Sequence, residues 1–226
     1  MNEIFFPNPA IIFIMLLAIQ AVGIFFYFKR GKPLAVKFLC SFLVFTYALS
    51  GVFIAGFHSA FPLLMVCGLL CCMIGDVFIS FSFIWGMAAF AAAHICFIAG
   101  YIKAGLFTAM PIAQLIVFIL LIAPFLYAIL KLKLIKGELR FAACIYAALI
   151  TFMTSLAVCS PALYGAVMVF SWASAIALGS VLFLLSDFML GLMVSGRESN
   201  KLDYISLSFY YMAISLFGLS VNIFCP

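Results

Sequence analysis

Two aspartates lie within apolar segments that are long enough to cross a membrane. Asp76 occurs in the sequence Met-Ile-Gly-Asp-Val-Phe and Asp187 in Leu-Leu-Ser-Asp-Phe-Met. An acid at the centre of a membrane helix costs about 2.5–3.5 kcal/mol by insertion measurements, so such residues usually serve a function. Polar residues that only join helices are usually Ser, Thr or Asn, which lose less hydration energy on burial. We therefore interpret both aspartates as candidate catalytic acids.

Two neighbouring polar residues are weaker candidates. His94, also within an apolar segment, could transfer protons or could be a neutral core residue held by hydrogen bonds. Ser186 precedes Asp187, but adjacent helix positions point about 100° apart, so the two residues do not form a nucleophile and base by themselves. Ser186 is more typical of a hydroxyl that packs helices or supports a site. Zinc favours several His or Cys ligands, so a single buried histidine argues against zinc, and we expect no metal or other cofactor.

The composition predicts an all-α polytopic membrane protein. Of the 226 residues, 69% are hydrophobic and 8% are charged. A membrane-crossing helix needs roughly 20 apolar residues. Charges, prolines and small polar clusters divide the chain into eight such segments, at 9–28, 34–54, 60–82, 84–102, 111–130, 139–159, 163–194 and 204–224. We expect one transmembrane domain over residues 1–226, with the first segment retained as a helix.

The basic residues predict how this domain is oriented. Ten Lys and Arg residues fall at the connections after the first, fifth and seventh segments, and Lys103 alone falls on the other side. Because Lys and Arg in short loops mark the cytosolic side, we expect both termini outside and favour a bacterial inner membrane. The net charge of +5 follows from this topology and gives no indication of nucleic-acid binding. Seven of the eight cysteines lie within predicted segments without a CxxC pair, which is typical of apolar packing residues.

This topology places the candidate residues at similar depths. The third and seventh segments run in the same direction, with Asp76 ~9 Å and Asp187 ~10 Å from their inner ends. His94 lies somewhat deeper, near the midplane. We expect the two carboxyl groups to share one cavity, within about 10 Å of each other, that opens to the cytosol. The small residue before each aspartate also suggests a four-plus-four internal duplication.

At these residues the chain resembles the YhhN-like lysoplasmalogenase family of eight-helix membrane proteins. The resemblance covers nearly the whole chain and rests on an ordered set of motifs: Lys32-Pro33-Leu34, Gly68-Leu69 with Gly75-Asp76, Gly86-x-x-x-Phe90-x-x-x-His94, Tyr146 with Met153, Gly179-x-x-x-Phe183-x-x-Ser186-Asp187-x-x-Leu190, and Tyr210-Tyr211-x-Ala213. Three positions depart from the family pattern, with Cys72 for a small polar residue, Phe97 for Tyr and Ile214 for Gln. These changes remove polar groups but leave Asp76, His94 and Asp187 in place.

The resemblance implies hydrolysis of the vinyl ether bond of lysoplasmalogens to a fatty aldehyde and a glycerophospho-headgroup. It implies catalytic roles for Asp76, Asp187 and His94. The residues it suggests for contacts with the lysophospholipid are Lys32, Tyr146, Ser186 and Tyr211. Lys32 begins the second segment at the inner face, where lysines mostly reflect topology but can also hold a phosphate.

Two buried acids suit this chemistry. Proton transfer to carbon gives an oxocarbenium ion, and water then adds to form a hemiacetal that collapses to aldehyde and alcohol. One acid must hold a proton, and both burial and a neighbouring carboxylate favour the neutral form of a carboxyl group. The ionised partner can stabilise the cation and orient water, as paired carboxylates do in glycoside hydrolysis. The sequence leaves open which aspartate has which role.

Two other functions remain compatible with the sequence. A proton-coupled transporter or channel could use the same acids as a relay. Transporters often contain paired helices broken by Gly or Pro, whereas Gly75 alone precedes Asp76 and no Pro interrupts the middle of the third or seventh segment. A non-catalytic lipid-binding or scaffold protein would tolerate Asp76→Asn. Headgroup preference, oligomeric state and physiological role are not predicted.

Overall fold

The computed structural model describes residues 8–55, 59–131, 135, 137, 139–163, 171–197 and 199–224. These residues form an all-helical fold, with strands absent from the described ranges. In chain order, the helices are Pro9–Lys29 (α1), Leu34–Ala55 (α2), Ala60–Phe78 (α3), Phe83–Lys103 (α4), Leu106–Ala109 (α5), Pro111–Leu130 (α6), Leu139–Val158 (α7), Ser160–Leu163 (α8), Trp172–Val194 (α9) and Asn200–Asn222 (α10). Eight of them are long and apolar enough to cross a membrane. Helices suit these sequences because they satisfy every backbone polar group internally.

The eight predicted segments are confirmed, with differences at their ends. The third segment was predicted to reach residue 82, but α3 ends at Phe78, where the chain turns tightly into α4. The eighth begins at Asn200 rather than at residue 204, because Ser199 caps a polar first turn that an apolar pattern does not detect. The seventh was predicted to begin at residue 163, but Leu163 is the last residue of α8, and the described part of the seventh begins at Trp172. Residues 164–170, also assigned to that segment, lie outside the described residues.

At one end of the bundle, α1, α3 and α9 finish and α2, α4, α7 and α10 begin. We call this end the basic end. The Lys32 ammonium lies 2.5 Å from an Asp203 carboxylate oxygen, which joins the α1–α2 turn to the start of α10. At the opposite end, the Tyr47 hydroxyl donates to the Pro9 carbonyl and the Asn222 amide donates to the Tyr47 carbonyl, each at 2.9 Å. The start of α1 and the finish of α10 therefore lie at the same end. The membrane side of that end and the duplication stay predictions.

The helix α10 lies at the centre of the bundle, packed against α1, α2, α3 and α9. One large hydrophobic core includes residues from α1–α5, α7, α9 and α10. A smaller cluster of Ile129, Ile135, Ala143 and Ala147 joins α6 to α7 near the basic end. This separation leaves room for a cavity between α6 and the main core.

Gly86 permits the close approach of α4 to the end of α3. A Cβ at this position would lie 2.7 Å from the Cα of Ile79, a backbone atom that cannot rotate away. We expect Gly86→Ala to reduce the free energy of unfolding by about 1–3 kcal/mol, the usual range for overpacking. Thermal unfolding of the purified protein in detergent measures this as a lower Tm.

Gly191→Ala is a matched control for Gly86→Ala. A Cβ at Gly191 meets nothing within 4 Å, and alanine is the better helix former. This variant should unfold at or slightly above the Tm of the wild-type protein. An unchanged Tm for Gly86→Ala would contradict the close contact between α3 and α4.

Candidate active site

Asp76 is held by hydroxyl groups from two neighbouring helices. Its carboxyl group lies on α3 and is almost completely buried, with 2% of the residue exposed. The same oxygen, Oδ2, accepts a hydrogen bond from Ser41 of α2 and another from the Tyr210 hydroxyl of α10 at 2.8 Å. Hydrogen bonds from buried donors compensate for the water that a buried acid loses. Three helices thus fix the position of this carboxyl group.

Asp187 on α9 is partly buried and belongs to a second group of side chains. It accepts a hydrogen bond from the Tyr146 hydroxyl of α7. The Tyr146 ring packs edge-to-face against the imidazole of His94, with centroids 5.2 Å apart, and Phe183 packs against the same imidazole at 5.0 Å. His94 is fully buried, and neither ring nitrogen has a hydrogen-bond partner among the residues that the structure describes. Within the described part of the chain, Tyr146 thus contacts both His94 and Asp187.

The two aspartates line one cavity, which we call the polar cavity. It opens near the basic end and contains about 420 Å³ of empty space. Its wall also includes Lys37 of α2 and Asp203 of α10. The remaining lining residues are Ile79, Phe90, Ser186, Leu190, Met193, Ser206, Leu207 and Tyr210. The expectation that Asp76 and Asp187 share a cavity is thus confirmed, while their predicted separation stays a prediction.

A second cavity, the apolar cavity, lies between α4, α6, α7 and α9, with Asp187 in its wall. It contains about 700 Å³ of empty space, and apart from Asp187 and Tyr146 its lining side chains are hydrocarbon, thioether or aromatic ring. Four residues line both cavities: Ile79, Phe90, Asp187 and Leu190. Asp187 therefore lies at the junction between a polar and an apolar space.

The structure separates the four predicted substrate contacts. Tyr146 lines the apolar cavity and Ser186 lines the polar cavity. Lys32 is paired with Asp203 at the mouth of the polar cavity, in a turn where its own φ is +64°. Tyr211 lies outside both cavity walls, and its hydroxyl donates to the Lys37 carbonyl at 3.2 Å.

Ser186 makes a reciprocal contact between α9 and α10. Its hydroxyl donates to the Ser206 carbonyl at 2.9 Å, and the Ser206 hydroxyl donates to the Ser186 carbonyl at 3.0 Å. Both hydroxyl groups thus satisfy backbone acceptors of the facing helix. This arrangement is typical of small polar residues that hold membrane helices together.

Three residues around the acids were missed as site residues by the sequence analysis. Lys37 was counted only as a marker of topology, Ser41 was not considered, and Tyr210 appeared only as part of a motif. A signal was available in the helical spacing. Lys37 and Ser41 are four residues apart on one face of α2, and Asp203, Ser206 and Tyr210 follow the i, i+3, i+7 spacing of one face of α10.

Metal-binding groups are not apparent at this site. Within the described ranges, no three His, Cys, Asp or Glu side chains lie close enough together to hold a metal ion. Among the side chains lining the polar cavity, the charged ones are Lys37, Asp76, Asp187 and Asp203.

Comparison with known proteins identifies the family of this chain. A family model described as the YhhN family matches residues 31–221. The chain belongs to the YhhN family. No curated protein and no solved structure gives a significant match. The YhhN match includes every residue of the two cavities and leaves out α1, so the site lies wholly within the part of the chain that defines the family.

The three departures from the YhhN pattern lie outside both cavity walls. Cys72 is fully buried one turn before Asp76, where its carbonyl accepts from the Tyr210 hydroxyl at 3.4 Å. Phe97 packs against Phe217, with ring centroids 4.7 Å apart, and Ile214 is buried. These residues of the YhhN fold therefore affect packing behind the site rather than the surface that a ligand would meet.

Proposed function

We propose that this YhhN protein is a membrane-embedded hydrolase that cleaves the vinyl ether bond of lysoplasmalogens. The observation that carries this proposal is the position of Asp187, which borders both the polar and the apolar cavity while Asp76 lines the polar one. A lysoplasmalogen has a glycerophospho-headgroup, a vinyl ether bond and a hydrocarbon tail, in that order. With its tail in the apolar cavity and its headgroup in the polar cavity, the bond to be cleaved lies beside the two carboxyl groups.

The two acids supply what vinyl ether hydrolysis requires. A carboxyl group donates a proton to the alkene carbon farther from oxygen, and the positive charge that develops is shared by the other alkene carbon and the ether oxygen. A carboxylate on the facing wall stabilises this cation and removes a proton from the attacking water, as paired acids do for the similar ion in glycoside hydrolysis. The resulting hemiacetal collapses to a fatty aldehyde and a glycerophospho-headgroup with a free hydroxyl.

The cavity walls match an amphiphilic substrate. Hydrocarbon side chains such as Phe125, Ile129 and Ile150 line the apolar cavity and favour an alkenyl tail over water. In the polar cavity, Lys37 is the cation of the lining and is suited to a phosphate, as lysine commonly is in phosphate sites. This assigns to Lys37 the contact that the sequence suggested for Lys32.

The substrate enters from the basic end, which we assign to the cytosolic side by the excess of Lys and Arg there. A single-chain lipid can reach the polar cavity from that surface with its headgroup in water. The substrate is thus a membrane lysophospholipid, and the protein acts as a multi-pass membrane enzyme of lipid metabolism.

The proposal is tested by mass spectrometry of lipid products. Purified protein is incubated with 1-alkenyl, 1-acyl and 1-alkyl lysophospholipids that share one headgroup. We expect a fatty aldehyde and a glycerophospho-headgroup from the 1-alkenyl lipid alone, because only this bond yields a stabilised cation on protonation. Fatty acid release from the 1-acyl lipid would instead indicate an esterase.

A second assay separates the enzyme from a proton relay. Wild-type protein and the Asp76→Asn variant are placed in liposomes that contain a pH-sensitive dye. If the protein is a hydrolase, the wild-type protein should release aldehyde, and any proton flux should be the same for the wild-type protein and Asp76→Asn. Absence of aldehyde together with proton flux that requires both aspartates would replace the hydrolase by the transporter alternative.

A further inference from the structure

We propose that Asp187 is the proton donor and that Asp76 is the ionised carboxylate that stabilises the cation and activates water. The assignment rests on the proposed function and goes beyond it, because it gives each acid one role. It also makes Ser41, Tyr210 and Tyr146 positioning residues that hold the two acids in different protonation states.

Asp76 has more neighbouring groups that stabilise an ionised carboxylate than Asp187 has. Its Oδ2 atom accepts hydrogen bonds from both Ser41 and Tyr210, and hydrogen bonds donated to a carboxylate stabilise the charged form. The Lys37 ammonium lines the same cavity and adds a favourable charge. Asp76 lines the wall of this cavity, so a water molecule inside the cavity can reach its carboxylate.

The surroundings of Asp187 favour its neutral form. Among the residues that the structure describes, Tyr146 is its one hydrogen-bond donor. The carboxyl group borders the apolar cavity, whose lining offers a charge on Asp187 no polar side chain other than Tyr146.

The position of each acid along the substrate gives an independent argument. Protonation of a vinyl ether occurs at the alkene carbon on the tail side, and water adds at the carbon bonded to oxygen. Asp187 lies at the entrance to the apolar cavity, on the tail side, whereas Asp76 lines only the polar cavity. The proton donor is thus placed at the carbon that receives the proton, and the carboxylate at the carbon that receives water.

The steps balance in atoms and electrons. The Asp187 O–H bond breaks, a C–H bond forms on the tail side and the alkene electrons supply it, which leaves an oxocarbenium ion. Water then forms a C–O bond to the cation while its proton passes to Asp76. In the collapse, the hemiacetal hydroxyl returns a proton to Asp187, the bond to the ether oxygen breaks, and Asp76 protonates the departing oxygen. Both acids regain their starting states.

The titratable groups around each acid come from every helix packed against it. Lys37 and Cys40 of α2, Cys72 of α3, and Asp203, Tyr210 and Tyr211 of α10 surround Asp76. Tyr146 of α7 and Cys72 of α3 face Asp187, and α4 contributes His94 through its contact with Tyr146. Of these groups, the hydroxyl groups of Tyr210 and Tyr146 can each be removed by substitution with phenylalanine, which does not change the charge of the protein.

The test is the pH dependence of kcat/KM for aldehyde release by three variants. Tyr210→Phe removes a donor from the carboxylate of Asp76, which then takes up a proton at higher pH. The midpoint of the low-pH limb of the profile should therefore shift to higher pH by about one unit or more. Tyr146→Phe removes the donor from Asp187, which then retains its proton to higher pH. In this variant the midpoint of the high-pH limb should shift to higher pH, while the midpoint of the low-pH limb should not change.

Ser41→Ala serves as a second variant for the Asp76 limb, in case Tyr210→Phe does not fold. The assignment of roles would be overturned if Tyr210→Phe shifted the high-pH limb and Tyr146→Phe the low-pH limb, or if neither limb shifted. Either result would leave the proposed hydrolase activity intact. A wild-type protein that releases no aldehyde would overturn the proposed function itself. The two failures are therefore distinguishable.

Chemical rescue provides a second test that does not depend on pH limbs. Formate is ionised at neutral pH, so it can replace a missing carboxylate but not a missing proton donor. We expect formate to restore measurable aldehyde release to Asp76→Ala and to leave Asp187→Ala inactive. Rescue of Asp187→Ala alone would assign the roles the other way round.

Discussion

Replacing either aspartate by asparagine should reduce aldehyde release from a 1-alkenyl lysophospholipid by at least about 100-fold. Asparagine keeps the size of the side chain and a hydrogen-bonding oxygen, but it has neither a transferable carboxyl proton nor a negative charge. General acids and bases typically contribute about 10²- to 10⁴-fold to a rate. Asp76→Asn and Asp187→Asn are measured as kcat of purified protein, with aldehyde quantified by mass spectrometry.

Asp203→Asn is the matched control for these two variants. Asp203 lines the same cavity, but 27% of its side chain is exposed and it is paired with Lys32 rather than hydrogen-bonded to either acid. Its loss should reduce kcat less than about tenfold, since exposed ion pairs contribute little. His94→Gln should also cost less than the loss of an acid, because His94 contacts Tyr146 and not the cavity. Equal losses for Asp203→Asn and Asp187→Asn would contradict the two-acid mechanism.

Replacing Lys37 by methionine should raise KM for the lysophospholipid about 10- to 150-fold. A hydrogen bond to a charged group contributes roughly 1.5–3 kcal/mol, which corresponds to that range. Methionine keeps the length of the side chain and removes its charge. The measurement is the dependence of the initial rate on substrate at fixed lipid and detergent concentrations.

A substrate without phosphate distinguishes a phosphate contact from an effect of Lys37 on Asp76. The wild-type protein should prefer a 1-alkenyl lysophospholipid to the matching 1-alkenylglycerol, and Lys37→Met should lose most of this preference. Lys29→Met is a control at the same end of the bundle, because Lys29 is exposed on α1 and outside both cavities. An undiminished preference in Lys37→Met would assign the phosphate contact to another residue.

The sequence alone was sufficient for the number and approximate positions of the membrane helices. A bilayer requires about 20 apolar residues for each crossing, so the segments are visible wherever charges and prolines interrupt the hydrophobic chain. The two aspartates were equally visible, since an acid within such a segment is rare. The predicted match in their depths was wrong, because α3 ends at Phe78, two residues after Asp76, whereas α9 ends at Val194, seven residues after Asp187. Their common cavity depends instead on how the helices pack.

The hydrophobic pattern did not predict the rotation of each helix about its axis. Tyr210 and Tyr211 are adjacent, but a step of one residue turns the helix by about 100°. As a result, Tyr210 donates to Asp76, while Tyr211 faces α2 and the Lys37 carbonyl. An amphipathic helix reveals its buried face through its pattern, whereas a helix that is hydrophobic all round does not.

Because helix rotation is not visible in the sequence, the different contacts of the two lysines and the arrangement of the two cavities were not predicted either. Lys32 and Lys37 are both basic residues near one end of α2, and only packing against α10 directs Lys32 to Asp203 and brings Lys37 into the polar cavity wall. The position of Asp187 between a polar and an apolar space depends on side chains from α3, α4 and α9 that meet only in the folded bundle. Hydropathy records which segments are apolar enough to cross a membrane, but contacts between helices determine the direction in which each side chain points.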